Sequence, residues 1–292
     1  MMNSNDIDKM NTLLIAGSNG FIGSSLYTHF EKDYNTIGIS KKKSSSSFRV
    51  NLENIDEIDS FFERGNRIKN IIFLVGRAHK KGKKSEFDKY EKTNFFTIKN
   101  LLKSLEKNNK IPDKIIFAST ISVYGERLNR FIYNEYLKLK PKSPYAITKL
   151  KAEEYLLKNY PDITWVLRFS PVYSPYFKLN IDRRTKIKNF YFRIGNGKSK
   201  FSLCSINNIK TVCDAILDGS IPPDIYNLSD PNNYDYNFLL KKQKANLFIP
   251  IPVFLIKLLY LYGKYSKNTF IKENSIKLLT DNIYPSTKLN KF

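Results

Sequence analysis

The first half of the chain alternates short apolar runs with segments whose apolar residues recur at helical spacing, the pattern of a parallel sheet with crossover helices. The runs predict strands at Thr12–Ala16, Thr36–Ile39, Ile71–Val75, Lys114–Ala118 and Thr164–Arg168, with a weaker one at Phe48–Val50. Between them the spacing predicts helices at Ile22–Lys32, Ile55–Gly65, Phe87–Asn108 and Tyr145–Tyr160. After Pro171 the alternation weakens. Tyr173–Gly197 reads as aromatic, basic and irregular, Ser205–Asp218 as a helix, and Ile225–Leu228 as a short strand returning to the main sheet. The expectation is an α/β fold: a doubly wound parallel sheet with a smaller C-terminal lobe. Residues 12–173 and roughly 205–232 would build the sheet domain, and 174–204 with 233–292 the lobe. Residues 1–11 read as a frayed tail, Ser44–Ser47 as a polar turn and Lys80–Lys84 as a solvated loop.

Composition adds few constraints. Across 292 residues, 41% apolar and 26% charged content describes a globular chain. Two cysteines, Cys204 and Cys213, and two histidines argue against a disulfide framework or a zinc site. They read as reduced, buried thiols of a cytoplasmic protein. The polar first dozen residues lack the apolar run of a signal peptide. The longest apolar stretch, Phe248–Tyr262, is interrupted by Pro250, Pro252 and Lys257, and falls short of the ~20 residues that cross a bilayer. It reads as a core-facing helix of the lobe, with a helix lying on a membrane surface as the alternative.

A net charge of +22 raises the question of nucleic acid. The excess is lysine spread along the whole chain, and it suits an anionic small molecule such as a nucleotide diphosphate sugar. Direct nucleic-acid binding is therefore the lesser reading.

Candidate chemistry starts where the first strand ends. Leu13–Ala16 runs directly into Gly17-Ser18-Asn19-Gly20-Phe21-Ile22-Gly23, a strand, a Gly-x-x-Gly-x-x-Gly turn and a helix. Glycines there permit the reversal, let backbone approach a pyrophosphate and let the helix pack closely. The helix N-terminus then favours anions. Gly17, Asn19, Gly20, Phe21, Ile22 and Gly23 are thus candidate dinucleotide ligands. The end of the second strand reads Ser40-Lys41-Lys42-Lys43 with no acid, which favours NADP over NAD.

Tyr145-Ala146-Ile147-Thr148-Lys149 places a phenol and an ammonium one helical turn apart. A cation there is expected to lower the tyrosine pKa from about 10 and suit it to proton exchange with a hydroxyl. The same spacing recurs at Tyr136/Lys140, Tyr260/Lys264 and Tyr284/Lys288. Only Tyr145 follows Ser143-Pro144, opens a convincing helix and lies downstream of the Ser/Thr-rich strand end Phe117–Gly125.

The ordered set Gly17–Gly23, Asn94, Ser119-Thr120 with Val123-Tyr124-Gly125, and Ser143-Pro144-Tyr145 with Lys149 resembles the extended short-chain dehydrogenase/reductases. It is most similar to their nucleotide-sugar epimerase/dehydratase group. Gly76-Arg77-Ala78-His79 and Leu167–Pro175 resemble that group's segments after the fourth strand and at the opening of the substrate lobe.

The resemblance implies that Tyr145 is the acid/base, Lys149 its activating partner and Thr120 the hydroxyl beside the reacting oxygen. It adds Asn51, Leu52, Val75, Gly76, Arg77, Asn94, Ser119, Ser170 and Val172 to the cofactor side. Arg183, Arg184, Arg193 and Lys198 would meet the substrate diphosphate, for which guanidinium forks are suited. A homodimer and a place in surface-polysaccharide precursor synthesis are also implied.

Departures narrow the chemistry. Dehydratases of the group carry an acidic pair immediately after the Thr, whereas this chain has Ile121 and Ser122, which argues against elimination. At Asn51 the group's frequent aspartate is amidated, which puts its usual adenine contact in doubt; Pro171 stands in place of a commoner asparagine and Ser174 in place of a commoner glycine. The expected activity is 4-epimerisation or 4-keto reduction of a nucleotide sugar with NADP or NAD. The alternative from another class is a non-catalytic dinucleotide- or RNA-binding protein on the same fold.

Overall fold

The computed structural model describes residues 12–63, 68–77, 86–128 and 132–292. The predicted tail, the Ala78-His79 pair, the Lys80–Lys84 loop and the end of the helix predicted to Gly65 lie outside these residues. Seven parallel strands form the main sheet in the order β11-β6-β5-β4-β1-β2-β3. In chain order these are β1 (Thr12–Ala16), β2 (Asn35–Ser40), β3 (Phe48–Arg49), β4 (Asn70–Phe73), β5 (Lys114–Thr120), β6 (Thr164–Phe169) and β11 (Ile225–Leu228). This is a Rossmann-like α/β fold. The order reverses between β1 and β4, where Ala16 pairs with Phe73, and crevices at such reversals are the usual ligand sites of these sheets.

The β1 sequence explains why both faces are covered. Leu13 and Ile15 point to one side, Leu14 and Ala16 to the other, and all are fully buried. On the first side α1 (Phe21–Phe30) contributes Leu26 and Phe30, and α7 (Ile206–Leu217) contributes Ile209, Val212 and Ile216. On the second side lie α2 (Ile55–Glu63), α4 (Thr97–Lys107) and α5 (Pro144–Asn159). Helix α5 starts where the sequence dictates. The Ser143 side chain accepts a hydrogen bond from the Ala146 N–H at 3.3 Å, and Pro144 occupies the first turn.

Local differences from the sequence reading have physical causes. The single helix expected over Phe87–Asn108 is α3 (Phe87–Glu91), a π-helical turn at Lys92–Phe96, and α4. The wide turn carries Asn94, a polar residue that is fully buried. The segment read as irregular, Tyr173–Gly197, contains α6 (Leu179–Thr185), β8 (Lys186–Ile187) and β9 (Phe190–Ile194). It follows β7 (Val172–Tyr173), which pairs with β10 (Cys204–Ser205).

The remaining elements are α8 (Tyr236–Lys242), β12 (Ile249–Ile251), α9 (Val253–Tyr265) and α10 (Thr269–Leu279). The expectation of a core-facing helix at Phe248–Tyr262 is corrected. Of α9 only Ile256 and Gly263 are buried and Tyr260 is half-buried, while its other apolar side chains are exposed. Among the described residues no helix is long and apolar enough to cross a membrane.

Two glycines are fixed by space and conformation. Gly17 has φ +90°, and a Cβ on Gly23 would lie 2.2 Å from the Gly17 carbonyl oxygen. Gly23→Val should therefore destabilise the fold by about 1–3 kcal/mol in urea unfolding. Unchanged stability would show that the turn is not as tight as described.

Candidate active site

At the carboxyl ends of β1, β4, β5 and β6 lies a cleft of about 760 Å3. One wall is the glycine turn with the first turn of α1, contributing Gly17, Gly20, Phe21, Ile22 and Gly23. Gly20 provides no side-chain cap for α1. The opposite wall is the end of β5 with the start of α5, contributing Ser119, Thr120, Tyr145 and Lys149. Gly76, Ser170 and Val172 complete the floor, and Arg183 and Arg184 line it from α6. Sequence reading thus named residues far apart in the chain that fold into one crevice.

Thr120 ends β5 and caps the following turn, its hydroxyl accepting from the Ser122 N–H at 3.2 Å. Tyr145 is partly buried. Burial pushes its phenol above the ordinary value, and a hydrogen bond with Thr120 pulls it down by less. The expectation that Lys149 depresses this phenol is corrected, because burial dominates both groups. It lowers Lys149 from the ordinary 10.5 to about 7, with the Glu153 carboxylate pulling upward. The Lys149 ammonium sits 4.0 Å from the centre of the Phe117 ring.

Beneath the cleft is a polar network that motif reading missed. The Arg168 guanidinium donates to Glu153 Oε2 at 2.7 Å and to the Tyr124 hydroxyl at 3.1 Å. That hydroxyl donates to Asn227 Oδ1 at 2.8 Å, and Ser119 hydrogen-bonds the same Glu153 carboxylate. Burial opposes the charge on Arg168, but the carboxylate outweighs it and raises its pKa. Glu153 lies one turn after Lys149, a spacing that could have marked it.

Other predicted residues surround the cleft without lining it. Asn94 is fully buried; its amide accepts from the Arg77 N–H at 2.7 Å and donates to the Thr148 hydroxyl at 2.9 Å. It thereby joins the segment after β4 to α5. Asn19 donates to the Ser40 hydroxyl at 2.7 Å and to the Lys42 carbonyl at 2.6 Å, tying the glycine turn to the end of β2. Lys41 pairs with Glu53 at 3.5 Å, and Lys42 is exposed.

Asn51 and Leu52 follow β3. The Asn51 side chain accepts from Glu53 N–H at 3.3 Å, while Leu52 is core. Val75 packs against that same core. Arg193 lies over the Phe248 ring at 4.8 Å and donates to Asn237 at 3.3 Å. Lys198 follows a turn whose Asn196 side chain accepts its N–H at 3.1 Å. Neither of these two cations lines the cleft, which corrects their placement at the substrate.

The cleft also holds residues the sequence did not nominate. Phe177 stacks on Phe21 at 4.1 Å, joining the segment after β7 to α1. Lys277 of α10 reaches Glu126 at 2.5 Å, linking two sides of the crevice. Glu126 directly follows Val123-Tyr124-Gly125, which was a usable signal. Nothing local indicates that α10 returns to the site.

The family model for "NAD dependent epimerase/dehydratase family" matches residues 13–228. The chain belongs to this family. A relative from Bacillus subtilis (strain 168), described as an uncharacterized UDP-glucose epimerase, is 30% identical over 56% of this chain and 57% of its own length. A dTDP-D-glucose 4,6-dehydratase of Dictyostelium discoideum is 26% identical over 78% of this chain and 60% of its own. The chain thus spans less than two thirds of the length of the curated relatives it matches.

Among solved structures, UDP-glucuronic acid 4-epimerase from Bacillus cereus in complex with NAD has a TM-score of 0.67 at 22% identity. That match covers 82% of this chain and 85% of the other. A human epimerase family protein with NADPH has a TM-score of 0.71 at 15% identity, covering 96% and 92%. These two likenesses show the fold.

Two stability outcomes follow from this geometry. Between pH about 7 and 10.5 the unfolded chain keeps the Lys149 proton that the folded chain has released, so stability rises with pH across that window. Lys149→Met should accordingly stabilise the protein near neutrality by a few kcal/mol at most, an advantage that shrinks toward pH 10. Urea unfolding at several pH values checks both the sign and the trend. Arg168→Met leaves a buried carboxylate unpaired and should cost about 3–5 kcal/mol, against about 0–1 for breaking the exposed Lys41–Glu53 pair.

Proposed function

We propose that the chain is a nucleotide-sugar 4-epimerase working with a nicotinamide dinucleotide. The observation that carries the reading is the convergence of Thr120, Tyr145 and Lys149 on the cleft walled by the Gly17–Gly23 turn. The residues present fit a dinucleotide. A side chain at Gly17 or Gly23 would press on neighbouring backbone, and the uncapped start of α1 suits a pyrophosphate. Gly76, Ser170 and Val172 would flank the cofactor, with residues 12–173 and roughly 205–232 as its domain. Residues 174–204 and 233–292 would receive the sugar nucleotide. When bound, the nicotinamide supplies hydride acceptance and return.

The chain's own groups would handle the proton and the orientation. Tyr145 would exchange a proton with the sugar hydroxyl while Thr120 holds its oxygen. Lys149, one helical turn beyond Tyr145 on the same cleft wall, would orient the cofactor's ribose beside the phenol. Arg183, exposed at the cleft, would meet the diphosphate. Arg184 is partly engaged, donating to the Lys277 carbonyl at 3.3 Å and lying over Phe201. Elimination of water is left out of the reading because Ile121 and Ser122 offer no carboxylate after Thr120.

The epimerase form is supported by the Phe21–Phe177 stack, which would help retain cofactor between half-reactions. Pairing of Lys41 with Glu53 also diverts one of the cations expected to read a 2′-phosphate. Reduction of a 4-keto sugar with NADPH is the second reading, favoured by the exposed Lys42 and the absence of an acid at the end of β2. Cofactor released from the purified protein separates the two: retained NAD with no net redox for the first, exchangeable NADPH consumed by a 4-keto sugar for the second. Tyr145→Phe should lower kcat by about 100- to 10,000-fold while dinucleotide affinity changes little. Full activity in that variant would remove both readings.

A further inference from the structure

Helix α9 joins the rest of the molecule along a narrow stripe. Ile256 and Gly263 are buried, Tyr260 is half-buried, and Gly263 abuts the backbone of Ile271 and Lys272 in α10. At 3.6 residues per turn these three occupy roughly 60° of the helix circumference. Opposite them, Phe254, Leu255, Leu258, Leu259, Leu261 and Tyr262 form a continuous apolar arc of roughly 160°. Leu258 is 55% exposed and Tyr262 61%, and Leu247 just before the helix is 88% exposed. An outward face this large and this apolar marks an interaction surface.

Its charges indicate what covers it. From residue 236 to residue 272 the chain holds seven lysines and no aspartate or glutamate. Lys257 and Lys264 lie two turns apart on one flank of the helix, between the buried stripe and the apolar arc. Long lysine stems can follow an apolar surface while the ammonium reaches a phosphate. A second copy of this chain fits poorly, because a two-fold contact would bring lysine-rich segments against each other. Lysine is also depleted in the cores of protein–protein contacts, while it is characteristic of helices lying in a headgroup layer.

We infer that the α9 face docks the protein on an anionic lipid bilayer, with the helix in the plane of the surface and the lysines on headgroup phosphates. The proposal is independent of the reaction assigned to the cleft. It does bear on the cleft's location: α10 packs on α9 with Ile271 and Lys272 and lines the crevice with Glu273, Asn274 and Lys277. The site lies one helix away from the docking face.

The test is flotation of the full chain with vesicles of phosphatidylglycerol and phosphatidylcholine in equal parts, and with phosphatidylcholine alone. Expected is flotation with the mixed vesicles at low salt, weakened by salt and much reduced on the neutral ones. Leu258→Glu/Tyr262→Glu should reduce binding by at least about tenfold, with unchanged circular dichroism and thermal midpoint. Lys257→Glu/Lys264→Glu should weaken it in the same direction. Wild-type protein that never floats, equal binding to both vesicle types, or full binding by the Leu258/Tyr262 variant each overturns the proposal. Sedimentation showing a dimer that this variant dissolves, without vesicle binding, would reassign the face to self-association.

Discussion

A carboxylate and a guanidinium, both almost fully excluded from water, hold the floor of the crevice in place. Glu153 comes from α5, Arg168 from β6, and the Ser119 and Tyr124 hydroxyls bind them from the end of β5 and the turn after it. Such a pair is weak evidence of net stabilisation, because desolvating two charges offsets most of their attraction. Its consequence is geometric. Each partner is costly without the other, so β5, β6 and α5 must meet in one arrangement. Thr120, Tyr145 and Lys149 are carried by two of those three elements.

The same carboxylate explains how a lysine can be buried over the Phe117 ring. Lys149 is nearly inaccessible, and burial alone would strip its proton. Glu153, one turn further along the helix, counteracts this and leaves the ammonium poised near neutrality. A charge that weakens the fold is retained where chemistry can use it, as expected when local rules fail at a functional position.

The central sheet was legible because its signals are local. Strand β1 and the glycine turn follow from the twelve consecutive residues Thr12–Gly23 and the helix they lead into, and the Ser143-Pro144 start of α5 is visible in the same way. Most catalytic candidates were legible through spacing along α5 and the Ser/Thr-rich end of β5. What escaped was non-local. Arg168 and Asn227 have partners 15 and 103 residues away, and Lys277 reaches Glu126 from a helix whose sequence does not announce its destination. Arg193 and Lys198 were nominated by charge type alone, and charge is too common in this chain to discriminate. Helix α9 misled for a related reason. Apolar composition shows that a segment avoids water, but it cannot say whether the shelter lies inside the same molecule.

The π-helical turn at Lys92–Phe96 changes the phase of the helix that contains it. One surplus residue within a single turn advances everything before it by about a hundred degrees relative to α4. Asn94 rides on that offset, which lets one side-chain amide bridge the backbone after β4 to Thr148. Loss of one codon there would leave a smoother helix and a misaligned crevice. Regularity and competence are in opposition along this stretch, so length variation should be harder to accept here than in an ordinary crossover helix.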